Sequence, residues 1–343
     1  MVHSTFNEKN FSKALKRFTE NDPETISSFR SLGKRKDHKP FYPEIQKIDE
    51  AYNLLYRDLE EYNDENVSKV DEWFSVRNGN PLRYKPFPLC REYMLKAIFS
   101  RYLYIYPTSV AGDNSCRASV VNYLEKEGFK TEKTDNYDGL GIENIAFAYS
   151  TSHAYNLIVN AIARPNDVIL MTAPNYGIFA AFTEIDNARV EVIKLREEDD
   201  FYINPKLLGE RIDEINETLK KEFANESYIP RVVAFLNMNP HNPLGKVLNS
   251  KKMDILEQLG DICLEKGVFV IDDLIYRDIG FDQDDKAFFL ASIPKYFNNT
   301  ITLIGLSKSY GLAQVRAGAI IAPIPIINDI TAQISHEVDA LSY

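Results

Sequence analysis

The chain has 343 residues, of which 44% are apolar, and it carries a formal net charge of −10. This length predicts one large domain with additional segments, and the apolar fraction is sufficient for a packed core. Because an acidic surface repels phosphate backbones, nucleic acid is not an expected partner. The three cysteines, Cys90, Cys116 and Cys263, are widely spaced and odd in number, which fits a reducing compartment better than a disulfide framework.

Targeting, membrane and metal signals are not found in the sequence. Residues 1–13 lack the apolar segment of a signal peptide, and no apolar run is long enough to cross a bilayer. No CxxC motif or cysteine–histidine cluster suggests a metal site. We therefore expect a soluble, cytoplasmic protein that binds neither a membrane nor a metal ion.

The first quarter of the chain is polar and charged. Residues 11–18 and 42–67 have the helical spacing of apolar residues, whereas residues 77–88 are dense in glycine, proline and asparagine and predict a loop. We therefore predict a helical N-terminal arm with a loop segment over residues 1–85, one large domain over residues 86–325, and the start of an interdomain helix over residues 326–343.

Short apolar runs separated by helix-length segments dominate the large domain. Most are continuous rather than alternating, which is typical of strands buried on both faces of a sheet. Strands that alternate with helices predict crossover units and therefore a three-layer α/β sandwich with a mainly parallel, seven-stranded sheet. The predicted strands lie within residues 144–150, 167–173, 190–195, 231–239, 267–276, 300–307 and 317–323.

One intervening helix can be delimited from its sequence. Residues 249–267 begin with a candidate N-cap, Asn249 or Ser250, and end at Gly267. The spacing places four apolar side chains on one face of this helix: Met253, Leu256, Leu259 and Ile262.

Polar residues follow several of the predicted strands, where open α/β sheets bind ligands. Ser150, Thr151 and Ser152 follow the first strand and open a helix, so they are suited to hold a phosphate. Ordinary helix capping is the more frequent role of such residues when they are considered alone.

Tyr176 follows the second strand and can stack on a flat ring, although a packing role is more common for an aromatic side chain in a loop. Asn242 lies in a turn with two Asn-Pro pairs, where it can donate a hydrogen bond or simply form the turn. Asp273 ends a buried strand, which requires a cation or hydrogen-bond donors; a structural ion pair is an equally frequent alternative.

The segment 303–318 carries a lysine and an arginine eight positions apart, just beyond the sixth strand. Most lysines are solvated, and Lys308 alone would be interpreted in that way. Arg316 is suited to hold a phosphate, with a surface ion pair as the alternative. The shared position of all these residues beyond strand ends favours one common site.

The sequence resembles the fold-type I pyridoxal phosphate enzymes, specifically the aspartate aminotransferase-like superfamily. The resemblance runs from about residue 77 to the end and rests on "NPHNPLG", "DDLIY" and "SKSYGLAQVRAG" in this order. It implies that Lys308 forms a Schiff base with the aldehyde of pyridoxal 5′-phosphate, that Asp273 pairs with the ring nitrogen, and that Tyr176 stacks on the ring. Further cofactor contacts are implied for Asn242 and Tyr276 at the phenolate oxygen, and for Ser150, Thr151, Ser152, Ser307 and Arg316 at the phosphate.

The resemblance also implies a homodimer, in which Tyr106 reaches the phosphate of the neighbouring subunit and residues 78–81 form a substrate loop. Three positions depart from the family pattern: Gly305 and Leu244 replace a common serine and threonine, and "TSHAY" replaces a glycine-containing sequence. The chain ends 35 residues after Lys308. We therefore expect the family's C-terminal subdomain, with its carboxylate-binding arginine, to be missing, as in a fragment or a degenerate relative.

The function implied by the resemblance is amino-group transfer between an L-amino acid and a 2-oxo acid. Lys308, Asp273 and Tyr276 are the implied catalytic residues, and Lys308 is suited to move a proton once its amine is free. Two alternatives stay open: a lyase or decarboxylase that uses the same cofactor, and a non-catalytic interaction protein. The histidines at 153, 241 and 336 rank lower as acid–base groups, because no second catalytic group is placed near them.

Overall fold

A computed structural model gives the structure of the protein over residues 86, 88–100, 104–105, 107, 109–134, 137–282 and 285–337. The predicted N-terminal arm, residues 1–85, lies outside these described residues, as does Tyr106. The predicted domain boundaries at residues 85 and 325 stay predictions.

Helices and strands alternate along the described chain. The helices are α1 Pro88–Ile98, α2 Asn114–Lys126, α3 Thr151–Ile162, α4 Ile178–Ile185, α5 Pro205–Glu222, α6 Met253–Glu265, α7 Pro294–Phe297 and α8 Ile324–Glu337. The strands are β1 Ile145–Ala148, β2 Val168–Ala173, β3 Arg189–Lys194, β4 Val232–Met238, β5 Phe269–Asp273, β6 Thr300–Gly305 and β7 Gly318–Ile321. Six strands lie within the predicted runs, and β3 begins one residue before its run, at Arg189.

The strands form one seven-stranded sheet in the order β1-β7-β6-β5-β4-β2-β3. Only β7 is antiparallel to its neighbours, β1 and β6; the other four strand pairs are parallel. The predicted mainly parallel, seven-stranded α/β fold is therefore confirmed. Because β1 and β6 are both antiparallel to β7, the carboxyl ends of β1, β2, β4, β5 and β6 lie along one edge of the sheet.

Both faces of the sheet are covered, as the continuous apolar runs predicted. Along β2, Ile169 and Met171 pack into the core beneath α3, α4 and α8, whereas Val168 and Leu170 pack into the core beneath α5 and α6. These side chains are at most 1% exposed. Successive residues of a strand point to opposite faces, so the sheet is the middle layer of a three-layer sandwich.

The predicted helix over residues 249–267 is confirmed with a modified start. A 3₁₀ turn, Ser250–Lys252, precedes α6, and the Asn249 side chain caps it by accepting a hydrogen bond from the Lys251 N–H at 3.0 Å. After α6, Gly267 has φ +63°, while the N–H groups of Gly267 and Val268 donate to the carbonyls of Leu264 and Cys263. This Schellman motif requires a left-handed residue at its turn, which glycine adopts without strain.

None of the helices in the described part of the chain is long and apolar enough to cross a membrane. Likewise, no group of three or more histidine, cysteine, aspartate or glutamate side chains in these residues is placed to hold a metal ion.

Two buried helix glycines provide a matched test of packing. A Cβ atom on Gly260 of α6 would lie 2.9 Å from the Tyr296 ring, whereas one on Gly209 of α5 would meet its nearest neighbour, Ile262, at 3.5 Å. We expect Gly260→Ala to lower the free energy of unfolding by about 1–3 kcal/mol because of overpacking. Gly209→Ala should instead raise it by up to about 1 kcal/mol, because alanine favours the helix. Urea denaturation of both variants measures the difference, and equal losses would contradict this packing.

Candidate active site

The register of the sheet brings three chain segments together at its carboxyl edge. Ala148 at the end of β1 pairs with Gly318 at the start of β7, which pairs with Gly305 at the end of β6. The residues that follow β1 and β6, and those that precede β7, therefore leave the sheet side by side. These are the segments that contain Ser150, Lys308 and Arg316.

Asp273 is the last residue of β5 and is only 4% exposed. Its Oδ1 accepts a hydrogen bond from the Ile275 N–H at 3.2 Å, and its backbone carbonyl accepts one from the Asn239 N–H at 2.9 Å. No described residue forms an ion pair with its carboxyl group. Burial raises the pKa of Asp273 to about 7, against the weaker effect of the Ile275 bond. A cation placed beside this group would restore its ionised form.

Tyr276 lies close to the Lys308 amine, and its hydroxyl is affected by the charge of Asp273. The Lys308 Nζ lies 5.7 Å from the centroid of the Tyr276 ring. Burial raises the pKa of the Tyr276 hydroxyl, and the charge of Asp273 raises it further. Partial burial also lowers the pKa of Lys308, which increases the neutral fraction of its amine. Tyr276 therefore lies near the Lys308 amine, and the charge of Asp273 acts on its hydroxyl.

Tyr176 and Arg316 lie at the same edge. Burial raises the pKa of Tyr176; the charge of Asp273 also raises it, and the charge of Arg316 opposes this increase. The Tyr176 ring is held edge-on against Phe179, with centroids 5.7 Å apart and planes at 84°. The Arg316 guanidinium is exposed and donates to the Ala313 carbonyl at 2.9 Å, so in this structure it bonds its own loop.

The Ser150–Ser152 turn packs directly on two glycines. A Cβ atom on Gly318 would lie 2.9 Å from the carbonyl carbon of Ser150 and 3.0 Å from the nitrogen of Thr151. A Cβ atom on Gly305 would lie 2.6 Å from Ile275 Cδ1 and 3.1 Å from Thr151 Cγ2. A larger residue at position 305 would therefore have to displace the ends of the Ile275 and Thr151 side chains.

Ser150 itself has φ +94° and ψ +165°, a backbone conformation that is essentially restricted to glycine. It caps α3, because its Oγ accepts a hydrogen bond from the His153 N–H at 3.4 Å. The N–H groups of Thr151 and Ser152, the first two residues of α3, make no hydrogen bond with described residues. They are the donors at a helix N-terminus that suit an anion.

Hydrogen bonds made by its own side chains hold the turn after β4 in place. The Asn239 side chain exchanges two hydrogen bonds with the Leu248 backbone, at 2.8 and 2.9 Å. His241 Nε2 lies 2.9 Å from Thr172 Oγ1, and burial lowers the pKa of His241 to about 4. His241 therefore stays neutral and structural. Asn242 lies in this turn, but its side-chain amide makes no hydrogen bond with a described residue.

The close packing of the turn on Gly305 and Gly318 was not predicted from the sequence. Gly305 was noted only as a departure from the family pattern, and the "RAG" of "SKSYGLAQVRAG" was the available signal for Gly318. Ser307 lies at the same edge, after β6, without a hydrogen bond to a described residue. Tyr106 lies outside the described residues, so its implied contact stays a prediction.

Comparisons with known proteins identify the family to which the chain belongs. The sequence profile of aminotransferase class I and II matches residues 119–336. An aspartate aminotransferase from Musicola paradisiaca is 27% identical over 196 residues, covering 57% of this chain and 44% of that protein. The cystathionine beta-lyase PatB from Bacillus subtilis is 29% identical over 181 residues, covering 53% of this chain and 42% of that protein. The chain spans less than half the length of these two relatives.

Solved structures share the fold. A mutant aspartate aminotransferase from Thermus thermophilus aligns with a TM-score of 0.64 at 17% identity, covering 80% of this chain and 67% of that one. An aromatic aminotransferase from Pyrococcus horikoshii gives a TM-score of 0.64 at 20% identity, covering 81% of this chain and 67% of that one. These likenesses establish the architecture of the sheet and its helices.

The strain at Ser150 is testable without any ligand. We expect Ser150→Gly to raise the free energy of unfolding by about 1–2 kcal/mol, because relief of the backbone strain exceeds the few tenths lost with the cap. Ser152→Gly is the matched control: Ser152 lies inside α3, so the substitution should lower stability by up to about 1 kcal/mol. Chemical denaturation of both variants checks the prediction, and a loss of stability in Ser150→Gly would contradict it.

The raised pKa of Asp273 predicts a pH-dependent stability. Between pH of about 4 and 7, the native state holds a proton that the unfolded chain releases. The contribution of Asp273 to the free energy of unfolding therefore falls as the pH rises through this window. We expect the stability difference between wild type and Asp273→Asn to decline from pH 4 to 7, measured without ligand. His241 and Asp272 are unchanged in both proteins, so the difference isolates position 273.

Asp113 provides a control, because its contribution to stability should depend on pH in the opposite direction. Its hydrogen bond from the Ser115 hydroxyl lowers the pKa of the Asp113 carboxyl, so its contribution to stability is lost as the pH falls. Asp113→Asn should therefore change the pH profile in the other direction from Asp273→Asn. If the wild type and Asp273→Asn show the same dependence of stability on pH, Asp273 is already ionised in the native protein.

Proposed function

Because the chain belongs to the aminotransferase class I and II family, we propose that it transfers an amino group between an L-amino acid and a 2-oxo acid. Pyridoxal 5′-phosphate is the cofactor of this family. The observation that carries the proposal is the position of Tyr276, whose ring lies 5.7 Å from the Lys308 amine and whose hydroxyl is affected by the charge of Asp273. A lysine, a buried carboxyl group and a phenol thus converge at the carboxyl edge of the sheet.

The residues present fit this cofactor. No described cation forms an ion pair with the buried carboxyl group of Asp273. The protonated ring nitrogen of the cofactor is a cation of suitable size. The glycines at 305 and 318 leave room for the Ser150–Ser152 turn, which presents the N–H groups of Thr151 and Ser152 to a phosphate. When bound, the cofactor supplies an aldehyde that takes up amino groups and a ring that accepts electrons.

Lys308 would hold the cofactor aldehyde through its amine. An amine must lose its proton before it can act as a nucleophile, and partial burial favours this loss by lowering the pKa of Lys308. The same amine, when free, accepts and returns a proton at the substrate α-carbon. The lowered pKa of this amine suits it to both transfers.

Asp273 would keep the ring nitrogen protonated. In the described structure burial favours its neutral form; a cation in contact with the carboxyl group reverses this preference. Tyr276 would donate its hydroxyl hydrogen to the phenolate oxygen, with Asn242 as the second donor. Tyr176 would cover the face of the ring, and Ser150, Ser307 and Arg316 would complete the phosphate contacts.

A lyase is the second candidate function. The relative from Bacillus subtilis is named cystathionine beta-lyase and is 29% identical over 181 residues, a likeness as high as that of the aspartate aminotransferase. A lyase would require the same lysine, carboxyl group and phosphate turn. The two functions differ in whether a 2-oxo acid is consumed.

We also propose that the protein is a homodimer. Helix α1 buries none of its residues, and it exposes Tyr93, Leu95 and Ile98 by 64%, 57% and 52%, followed by Phe99 at 87%. Exposed apolar surfaces of this kind are typical of subunit interfaces. A second copy of the chain is the partner that the family relationship supports.

The cofactor and the reaction are tested together. The purified chain with added pyridoxal 5′-phosphate should show a visible absorption band that Lys308→Ala abolishes. Lys295→Ala is the matched control, because Lys295 is exposed and paired with Asp261, and it should retain the band. With a panel of L-amino acids and a 2-oxo acid, the wild type should produce the amino acid that corresponds to the oxo acid, detected by mass spectrometry.

Each failure has a distinct meaning. A wild type without the band would exclude the cofactor assignment. A band with release of a fragment of the amino acid, independent of the 2-oxo acid, would favour the lyase. If no amino acid alters the band, the protein binds the cofactor but does not catalyse this reaction.

A further inference from the structure

His153 lies next to the proposed phosphate turn and makes contacts that ordinary helix capping does not explain. Its Nδ1 lies 3.1 Å from the backbone nitrogen of Tyr149, and its Nε2 lies 3.2 Å from Oε2 of Glu337. The imidazole is also stacked on the Tyr149 ring, with centroids 5.7 Å apart and planes at 21°. Its side chain is only 20% exposed.

These contacts determine the tautomer of the ring. A backbone N–H can only donate, so Nδ1 must accept the hydrogen bond from Tyr149 and carries no proton. The proton of the neutral ring is therefore on Nε2, which donates to the Glu337 carboxylate. His153 thus connects the residue before the turn to the last residue of α8.

The arrangement is a modified capping box. In the usual form, the third helical residue accepts the N–H of the N-cap residue, and the N-cap side chain accepts the N–H of the third residue. Here Ser150 Oγ accepts the His153 N–H, but His153 accepts the N–H of Tyr149, one residue earlier. The N–H of Ser150 bonds the Ala148 carbonyl at 2.9 Å instead.

This hydrogen bonding determines which backbone N–H groups of the turn have no described partner. The N–H groups of Tyr149, Ser150 and His153 are all satisfied within the turn, whereas those of Thr151 and Ser152 are not paired with any described residue. Ser150 is held in a conformation that is strained for a residue other than glycine. Without the imidazole, one fewer hydrogen bond would hold the turn against this strain.

We propose that His153 is a positioning residue: it closes the turn so that the N–H groups of Thr151 and Ser152 point to the phosphate of the cofactor. The inference rests on the proposed function, because the phosphate belongs to pyridoxal 5′-phosphate. Glu337 acts one step further away, by orienting the ring through Nε2. The structure therefore connects α8 to the phosphate turn through a single side chain.

Isosteric variants separate the two contacts of the ring. His153→Asn keeps an acceptor at the position of Nδ1 and loses Nε2, whereas His153→Gln keeps a donor at the position of Nε2 and loses Nδ1. His153→Ala loses both. Pyridoxal 5′-phosphate and pyridoxal are titrated into each variant of the full chain, with the absorption band as the readout and thermal denaturation of the ligand-free proteins in parallel.

We expect His153→Ala and His153→Gln to weaken the binding of pyridoxal 5′-phosphate about fivefold, the effect of one hydrogen bond of ordinary strength. His153→Asn should bind it about as tightly as the wild type, and Glu337→Ala should lose about twofold. The affinity for pyridoxal, which has no phosphate, should stay the same in all variants. This dependence on the phosphate is the signature that a purely structural role would not produce.

The inference is overturned if His153→Ala binds pyridoxal 5′-phosphate as the wild type does, or if the affinities for both compounds fall equally. It is also overturned if His153→Gln, rather than His153→Asn, restores binding. A wild type that binds neither compound would instead overturn the proposed function and remove the basis of this inference with it.

Discussion

The site depends on one carboxyl group held out of water at the end of a buried strand. Asp273 is covered because β5 is a central strand with helices on both faces of the sheet. Desolvation of a carboxylate costs free energy unless a cation or hydrogen-bond donors compensate for it. Among the described residues the fold supplies one donor, the Ile275 N–H, and no ion pair. Burial therefore favours the neutral form of this carboxyl group, and a cation beside it would favour the ionised form.

The neighbouring residue shows that burial alone does not define the site. Asp272 is fully buried, and burial raises its pKa to about 7, as for Asp273. Asp272, however, points to the opposite face of the sheet and accepts a hydrogen bond from Asn237 at 2.8 Å within the core. Two adjacent carboxyl groups with similarly raised pKa values therefore lie in different surroundings, and the charge of Asp273 acts on the Tyr276 hydroxyl. The alternation of side chains along the strand places the two groups on opposite faces of the sheet.

The sequence was sufficient to predict the sheet and the edge at which the candidate residues lie, for a physical reason. Continuous apolar runs report strands buried on both faces, and polar residues just beyond them must lie at the carboxyl edge. What it could not predict depends on contacts between distant segments. The close approach of Gly305 and Gly318 to Thr151 follows from the register of three strands. The glycine-like conformation of Ser150 and the link between His153 and Glu337 likewise exist only once α3 and α8 are packed.

The segment that carries Asp273 and Tyr276 is fixed at both ends, and this explains how the site keeps its geometry. On one side, the Leu274 N–H donates to the Leu303 carbonyl of β6 at 2.9 Å. On the other, Arg277 is 5% exposed and pairs with Glu127 just after α2 and with Asp278.

The Arg277 guanidinium also lies 4.2 Å from the centroid of the Phe289 ring, and Lys286 approaches both of its carboxylate partners, at 3.4 and 3.5 Å. Arg277 is the buried member of this network, so the loss of its carboxylate partners would leave its charge unpaired, which favours the observed arrangement. Tyr276 lies between these two attachments and has little freedom to move. The position of the Tyr276 backbone is therefore set by contacts within the folded chain.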